Sequence, residues 1–298
     1  MLDTFNTPIP QNANYQEFYG GGTTRDWIKP RGVSMMRILV IGAGGGGCGG
    51  STSNNGYTGG GSGAVTSWIG PAIFVPDILQ MSIGAGGAGG AASSTATGNN
   101  GSTGGASGVI YQAKDSGGYT LLQAAAGGGG TTSNTGPAGG TAFTNNFFGA
   151  SGIFTSIAGQ AGASRAVGIT ASTTTFLSGG AGGTNATGSG FNVAVNYGYP
   201  TILGGAAGLA GNAGFFITQP IMLGAGGSAG GSDTTGAGGG GAGGNGGDAN
   251  GGNAGTYDAS NNMTSSVTNG AVGPGATRAT WAQIRSFMNA NCGTNFGP

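Results

Sequence analysis

The sequence contains no histidine and few charged side chains. Lysine, arginine, aspartate and glutamate together make up only 5% of its 298 residues. Without histidine there is no Ser-His-Asp triad, no zinc site of the Cys/His type and no imidazole proton shuttle. The acidic residues are far apart in the sequence, so no spacing indicates the paired carboxylates of a glycoside hydrolase. We therefore expect a protein that is not an enzyme and that uses no metal and no cofactor.

An excess of charge of one sign is also missing, because eight basic and eight acidic residues give a formal net charge of zero. This balance provides no basic patch for a nucleic acid. The first residues, MLDTFNTPIPQ, lack the basic and apolar regions of a signal peptide. The longest apolar stretch, residues 68–83, is interrupted by prolines and polar residues and is too short to span a bilayer. We expect no nucleic acid partner and no membrane insertion.

Cysteine is nearly absent. The two cysteines, Cys48 and Cys292, lie near opposite ends of the chain. Two free thiols are the simpler interpretation, and one disulfide between them is the alternative. Two residues at this separation do not indicate an oxidising or a reducing compartment, so both alternatives stay open.

Glycine is what the chain has in excess, with 75 residues where an average protein has about 7%. An apolar strand runs into a glycine tract six times, first in MMRILVIGAGGGGCGG at 35–50. Such repetition is typical of one continuous architecture. The pattern predicts strands at 35–41, 63–69, 78–83, 109–113 and 119–124, with turns at Asn55-Gly56 and Asn100-Gly101.

Glycine also recurs at every third position in the second half of the chain, as at Gly224, Gly227 and Gly230. Period three is typical of an extended threefold helix of the polyproline-II kind, whose crowded faces admit only glycine. Collagen is a poor match because the period breaks repeatedly and proline is scarce. We predict a mainly β and irregular fold in which short strands alternate with polyglycine-II-like segments that hydrogen-bond sideways, with one short C-terminal helix.

Three segments are predicted along the chain. Residues 1–26 lack periodicity and are interpreted as an N-terminal arm that lies on a partner or across its own domain. Residues 27–276 form the glycine-rich body. In residues 277–298, Thr280 is a candidate N-cap for a helix that runs through Asn289.

The tract from Trp27 onwards resembles a known family. It reads W-x-K-P-x-G-V-S-M, an apolar strand, poly-Gly, G-G-S-G-A-V and then P-D-x-L-Q-x-S-I-G-A-G-G-A-G-G. This tract is similar to the glycine-rich domain of tailed-bacteriophage tail proteins and tail-fibre components, over residues 27 to about 130 and more loosely to 255. The resemblance implies a virion protein, most specifically a tail fibre, tip or adhesin component in host attachment. Proteins of this family commonly work as symmetric oligomers, frequently trimers.

Polar and aromatic patches separate the glycine runs at 143–154, 191–199 and 257–263. Loops on a rigid scaffold commonly carry recognition, and aromatic and small polar side chains suit carbohydrate or protein contact. The alternative is that the aromatic residues belong to the core or to a subunit interface. The candidate receptor contacts are Asn145, Asn146, Phe147, Phe148, Asn196, Tyr197, Tyr199, Tyr257, Asn261 and Asn262.

Two glycine motifs have the outline of binding sites. Gly42-x-Gly44-x-x-Gly47 follows a strand as in a dinucleotide fingerprint, but the residues after it cannot form the helix that this motif needs. GGNGGD at 243–248 matches the start of a calcium-binding nonapeptide, but no tandem copy follows it. We interpret both as scaffold.

The sequence and the resemblance together predict a bacteriophage structural protein of the virion, in the tail rather than the head. The expected partners are other copies of the chain, other virion proteins through the N-terminal arm, and a host surface receptor. A head fibre, decoration or connector protein with no receptor role is one alternative. An ice-binding protein is another, although the period-three runs show no regular row of threonines.

Overall fold

The computed structural model describes most of the chain up to Arg165. It covers Gln16, Phe18 and residues 22–52, 57–93, 97–113 and 116–165. Beyond these it describes residues 169–170, 179–180, 182–183, 192–194, 202–203, 224, 226–227, 229–230, 252–253 and 271–272. The described part is mainly β-structure with irregular glycine-rich segments and one short α-helix, which confirms the predicted fold class.

Seven strands and one helix form the main body of the described part. They are β1 (Thr23–Ile28), β2 (Met35–Ile41), β3 (Val65–Pro71), β4 (Ile78–Ile83), β5 (Ser107–Ala113), β6 (Ser116–Ala124), α1 (Asn146–Ser151) and β7 (Ile153–Ile157). A 3-10 turn spans Ala72–Phe74, and the short strands β8 to β12 span Ile169–Thr170, Asn192–Ala194, Ile202–Leu203, Gly252–Asn253 and Ala271–Val272. The five predicted strands are confirmed as β2 to β6. The strands β2 and β4 have the predicted bounds, β3 is displaced by two residues at both ends, and β5 and β6 begin two and three residues earlier than predicted.

Two antiparallel sheets enclose the hydrophobic core. One has the strand order β1-β4-β5-β6 and the other has the order β2-β3-β7. Because successive side chains of a strand point to opposite faces, each sheet sends every second residue inwards. Trp68 of β3, Leu79 of β4 and Leu122 of β6 are essentially fully buried in one cluster. The ring of Phe148 on α1 meets Trp68 edge-on, with centroids 4.8 Å apart, so α1 covers the core of this sandwich.

Lys29 fastens the end of the sandwich that lies away from the glycine segments. Its Nζ donates to the carbonyl oxygens of Ala72 at 3.2 Å and Val75 at 2.7 Å. It also forms an ion pair with Asp77, at 2.8 Å from Oδ1. Lys29 follows β1, whereas the two carbonyl groups lie between β3 and β4, so one side chain links the connections of both sheets. Lys29 and Asp77 are therefore structural residues.

The β ladders continue into the glycine segments without a change of register. The last pair between β2 and β3 is Ile41 with Val65, and the N–H of Gly42 then donates to the carbonyl of Ala64 at 2.9 Å. Gly45 donates to Gly61, and Cys48 to Thr58, at intervals of three residues. The β5–β6 and β3–β7 ladders continue in the same way. A hydrogen bond to the same neighbour at every third residue is the pattern of a threefold helix.

Residues 57–64 lie in the middle of a bundle of such helices and bond to six other segments. Their N–H groups donate to segments 125–131, 160–163 and 224–227, and their carbonyl groups accept from 42–48, 140 and 180–183. A rod in a hexagonal array has six neighbours, so this segment is surrounded on all sides. The predicted period-three run at Gly224, Gly227 and Gly230 is part of this bundle.

Close spacing of the helices excludes side chains from many glycine positions. A Cβ added at Gly46 would lie closer than 3.0 Å to backbone atoms of Ala88, and one at Gly60 would lie that close to Gly45. Real Cβ atoms essentially never approach other heavy atoms so closely. Glycine loses more conformational entropy on folding than any other residue. Sideways hydrogen bonds between closely packed backbones offset that loss.

Several predictions require correction. Residues 23–26 belong to β1, so the arm ends before Thr23 and not after residue 26. The sequence TTRDWI alternates too weakly to indicate this edge strand. Asn100-Gly101 is not a turn, because the N–H of Gly101 donates to Gly130 inside the bundle. The helix α1 was not predicted. The helix predicted at 280–289 and the turn predicted at Asn55-Gly56 lie outside the described residues.

Candidate functional site

The described body has two ends that differ in chemistry. The connections between strands and α1 lie at the sandwich end, and the glycine segments reverse direction at the other end. Four of the predicted receptor contacts, Asn145 to Phe148, are at the sandwich end. Asn196, Tyr197, Tyr199, Tyr257, Asn261 and Asn262 lie outside the described residues.

Asn145 and Phe148 hold α1 in place. Asn145 is the N-cap, and its Oδ1 accepts the N–H of Phe148 at 3.1 Å while its Nδ2 donates to the carbonyl of Leu121 at 2.8 Å. Phe148 is 0% exposed, and its carbonyl accepts the Nε1–H of Trp68 at 3.1 Å. Phe148 is therefore a core residue and is not available to a receptor in this conformation. Asn146 is the first residue of the helix.

Phe147 is the exposed aromatic residue of α1, with 55% of its surface accessible. Its ring makes edge-to-face contacts with Phe148, at a centroid distance of 5.4 Å, and with Phe74, at 6.2 Å. The adjacent Ile73 is 84% exposed. The exposed side chains Phe147 and Ile73 therefore offer an apolar contact here.

The opposite end carries a polar connection, residues 131–136 with the sequence TTSNTG, between two glycine segments. Its side chains hold the turn together: the hydroxyl oxygens of Thr131 and Ser133 are 2.6 Å apart, and the Ser133 hydroxyl donates to the carbonyl of Thr135 at 2.9 Å. Ser133, Asn134 and Thr135 are exposed. The turn is thus both ordered by its own hydrogen bonds and accessible to a partner.

Other connections end beside this turn. The N–H of Thr131 donates to Thr58 Oγ1 at 2.7 Å, next to residues 51–57. Asn100 Oδ1 accepts the N–H of Thr132 at 3.1 Å, and Arg165 donates to Asn134 Oδ1 at 2.9 Å. We call the described residues Thr52, 97–100, 131–136 and Arg165 the polar tip.

The polar tip presents hydroxyl and amide groups, and Arg165 is the charged residue among its described members. Such groups donate and accept hydrogen bonds with neutral polar partners. Among the residues that the structure describes, no three His, Cys, Asp or Glu side chains come together as a metal site would require. The chemistry that the polar tip offers is hydrogen bonding by hydroxyl and amide groups.

Cys48 lies inside the bundle and is a free thiol. Its Sγ is 3.1 Å from the carbonyl oxygen of Asn99, and the residue is 0% exposed. Burial raises the pKa of this thiol from its ordinary 9.0 to about 12. The reactive form of cysteine is the thiolate, so Cys48 is an inert packing residue. Cys292 lies outside the described residues.

The motif Gly42-x-Gly44-x-x-Gly47 is part of the scaffold. The N–H groups of Gly42, Gly45 and Gly46 donate to carbonyl groups of neighbouring segments. A dinucleotide site would need free N–H groups there for the pyrophosphate, together with a following α-helix. The calcium-like motif at 243–248 lies outside the described residues, and none of the helices that the structure describes is long and apolar enough to cross a membrane.

The sequence contained a signal for the polar tip. Runs rich in serine, threonine and asparagine follow each of three glycine tracts, at 51–55, 93–100 and 131–135. Each glycine tract crosses the bundle away from the sandwich, so the described residues that follow these tracts, among them Asn100 and Thr132, lie at the same end. The prediction favoured the patches with aromatic residues instead. Comparison of the chain with protein-family models and with curated proteins finds no match.

Proposed function

We propose that this protein is a bacteriophage virion structural protein, a tail fibre or tip component that contacts the host surface through the polar tip. The observation that carries the proposal is the placement of an exposed, hydrogen-bonding turn, residues 131–136, at the end of a bundle whose central helix is bonded on all sides. Loops on a rigid scaffold are the usual carriers of recognition. The resemblance of residues 27 to about 130 to the glycine-rich domain of phage tail proteins supports the same conclusion.

Side chains of the polar tip that are already held in place lose less conformational entropy on binding. Side chains that must be ordered on association each cost about 0.5–1.5 kcal/mol. In the polar tip, Thr131 and Ser133 are already held by hydrogen bonds within the turn, and Asn134 is held by Arg165. A weak individual contact therefore still contributes to affinity, and several copies of the chain on one particle would add their contributions.

Competition for adsorption tests the proposal. Host cells are incubated with the purified full chain, and the adsorption of the phage that carries the protein is then counted. We expect inhibition by the natural protein and its loss in the triple variant Ser133→Ala, Asn134→Ala, Thr135→Ala. The matched control is Phe147→Ser, an exposed residue at the sandwich end, which should inhibit as the natural protein does.

Equal inhibition by the triple variant and the natural protein would remove the polar tip from the contact. No inhibition by a folded chain would favour the other candidate, a fibre or connector without a receptor role. Circular dichroism of each variant establishes that it is folded.

A further inference from the structure

The outer faces of the two sheets differ from each other and complement each other. In each strand the side chains alternate between the core and the outside, and the outward side chains form these faces. The strand register shows which of them lie side by side. On the β2-β3-β7 sheet, Arg37 lies beside Ile69, which lies beside Ile153. On the β1-β4-β5-β6 sheet, Asp26 lies beside Gln80, and Ile28 lies beside Ile78. Among these described residues, each face thus has isoleucines and one charge near the sandwich end.

The face of the β2-β3-β7 sheet is largely apolar, and we call it the Arg37 face. Its residues are Met35, Arg37, Leu39, Ser67, Ile69, Ile153 and Thr155. Met35 is 57% exposed and Ile153 is 69% exposed. These apolar side chains occupy adjacent strands in register, so they form one continuous patch and not scattered single residues. A continuous patch of this kind marks an interaction surface.

The face of the β1-β4-β5-β6 sheet carries the opposite charge, and we call it the Asp26 face. Its residues on β1 and β4 are Thr24, Asp26, Ile28, Ile78, Gln80 and Ser82. Ile28 is 71% exposed and Ile78 is 61% exposed. Each charged residue has an isoleucine as a neighbour on its face. Asp26 is two residues from Ile28 on the same strand, and Arg37 lies directly opposite Ile69 on the adjacent strand. In the described part of the chain, Lys29–Asp77 is the ion pair within the protein.

We propose that the Arg37 face of one copy packs against the Asp26 face of a second copy, with an intermolecular ion pair between Arg37 and Asp26. The charge pattern selects this arrangement. Contact of the Arg37 face with itself would bring two guanidinium groups into one interface that has no carboxylate among its residues. Contact with the Asp26 face matches the charges and buries isoleucines from both sides.

This contact is heterologous, because it joins two different surfaces. Repetition of a heterologous contact gives a ring when the rotation between neighbours closes, and a row of copies when it does not. The inference stands on the two sheet faces alone and does not depend on host attachment.

Charge reversal tests the contact. The association of the full chain is measured by sedimentation equilibrium over a dilution series at 0.15 M salt, with four proteins: natural, Arg37→Glu, Asp26→Arg and the double variant. Charge pairs across protein interfaces contribute measurably to affinity. We expect each single reversal to raise the dissociation constant at least about tenfold. The double variant restores the pair with exchanged charges and should return to within about threefold of the natural protein.

Arg25→Glu is the matched control. Arg25 is also an exposed arginine on a strand, but its register with Met81 places it on the core side of β1. Its reversal should leave association unchanged, and circular dichroism establishes that every variant is folded. The proposal is overturned by a natural chain that stays monomeric at micromolar concentration, by a double variant as weak as the singles, or by an effect of Arg37→Glu without one of Asp26→Arg.

Discussion

Replacement of Gly46 by alanine tests whether the glycine helices lie as close together as the structure has them. Gly46 is in the segment 42–50, and it is bonded on both sides: its N–H donates to Ser102 at 2.9 Å, and its carbonyl accepts from Gly130 at 2.7 Å. An added Cβ would point at backbone atoms of Ala88 within 3.0 Å. Because the obstacle is backbone and not a flexible side chain, one of the two helices must move.

The cost follows from what holds the two helices together. Segment 87–93 is joined to segment 42–50 by three hydrogen bonds of 2.8–3.0 Å, donated by Gly87, Gly90 and Ser93. Each contributes about 0.5–1.5 kcal/mol, so their loss costs about 1.5–4.5 kcal/mol. Retaining the bonds leaves overpacking strain, typically about 1–3 kcal/mol. The chain adopts the cheaper alternative, and we expect Gly46→Ala to lower the free energy of unfolding by about 1–3 kcal/mol.

Urea unfolding followed by tryptophan fluorescence measures this loss, since the core residue Trp68 is fully buried. Gly149→Ala is the matched control. Gly149 lies in α1, and a Cβ added there meets no atom within 4 Å. Alanine is favoured over glycine in a helix by about 1 kcal/mol at most, so this variant should be unchanged or slightly more stable.

A change below about 0.5 kcal/mol for Gly46→Ala, the size typical of an inconsequential surface substitution, would refute close helix packing at this position. A loss of stability that circular dichroism detects but tryptophan fluorescence does not would contradict the assumption that the whole described body unfolds as one unit. It would mean that the bundle and the sandwich unfold separately, although the register between β2 and β3 continues from one into the other.

Two further predictions concern single side chains. Lys29→Met removes the bonds to two carbonyl groups and should destabilise the protein by about 1–3 kcal/mol in urea unfolding, whereas Asp77→Asn should cost less than about 1 kcal/mol because the carboxylate is 83% exposed. In a Cys292→Ser background, Cys48 should resist iodoacetamide at pH 8 until urea unfolds the chain, and rapid labelling of the folded protein would contradict its burial. Because the folded pKa of Cys48, about 12, is above the ordinary 9.0, its contribution to stability is complete below pH 9 and is lost as the pH rises towards 12. Cys48→Ala should show less of that loss.

Local pattern was sufficient for the parts of the fold that repeat. The strand β2 combines β-branched and aliphatic residues and stops where glycine begins, so both of its ends could be read from the sequence. The helix α1 could not be predicted, because Asn-Phe-Phe-Gly is a poor helical sequence. It forms because Phe148 fills the space beside Trp68 and Asn145 caps its first turn. The contact between Phe148 and Trp68 joins residues 80 apart in sequence, so it leaves no periodic signal.

The position of the candidate site was missed for a related reason. Phe147 and Phe148 were grouped as one patch, but adjacent residues of a helix point in different directions, so one is exposed and the other is in the core. The polar tip has no aromatic residue among its described members. Its serine, threonine and asparagine residues are also common elsewhere in the sequence, so its composition did not set it apart. The direction in which each segment crosses the bundle determines which connections lie at the same end. That direction depends on the order of the segments in the fold, which the local sequence pattern does not show.

The architecture separates the residues that fix the shape from those that are free to vary. Inside the bundle the segments are bonded mainly through backbone groups, and positions such as Gly60 tolerate no side chain, so the interior segment 57–64 carries no surface for recognition. A connection such as 131–136 closes a turn between helices whose register is already fixed by neighbours on other sides. Lengthening such a loop costs little, since each doubling of its length adds only about 0.6 kcal/mol. The polar tip can therefore change in sequence and length while the bundle does not, and it is there that a change of binding partner would cost the fold least.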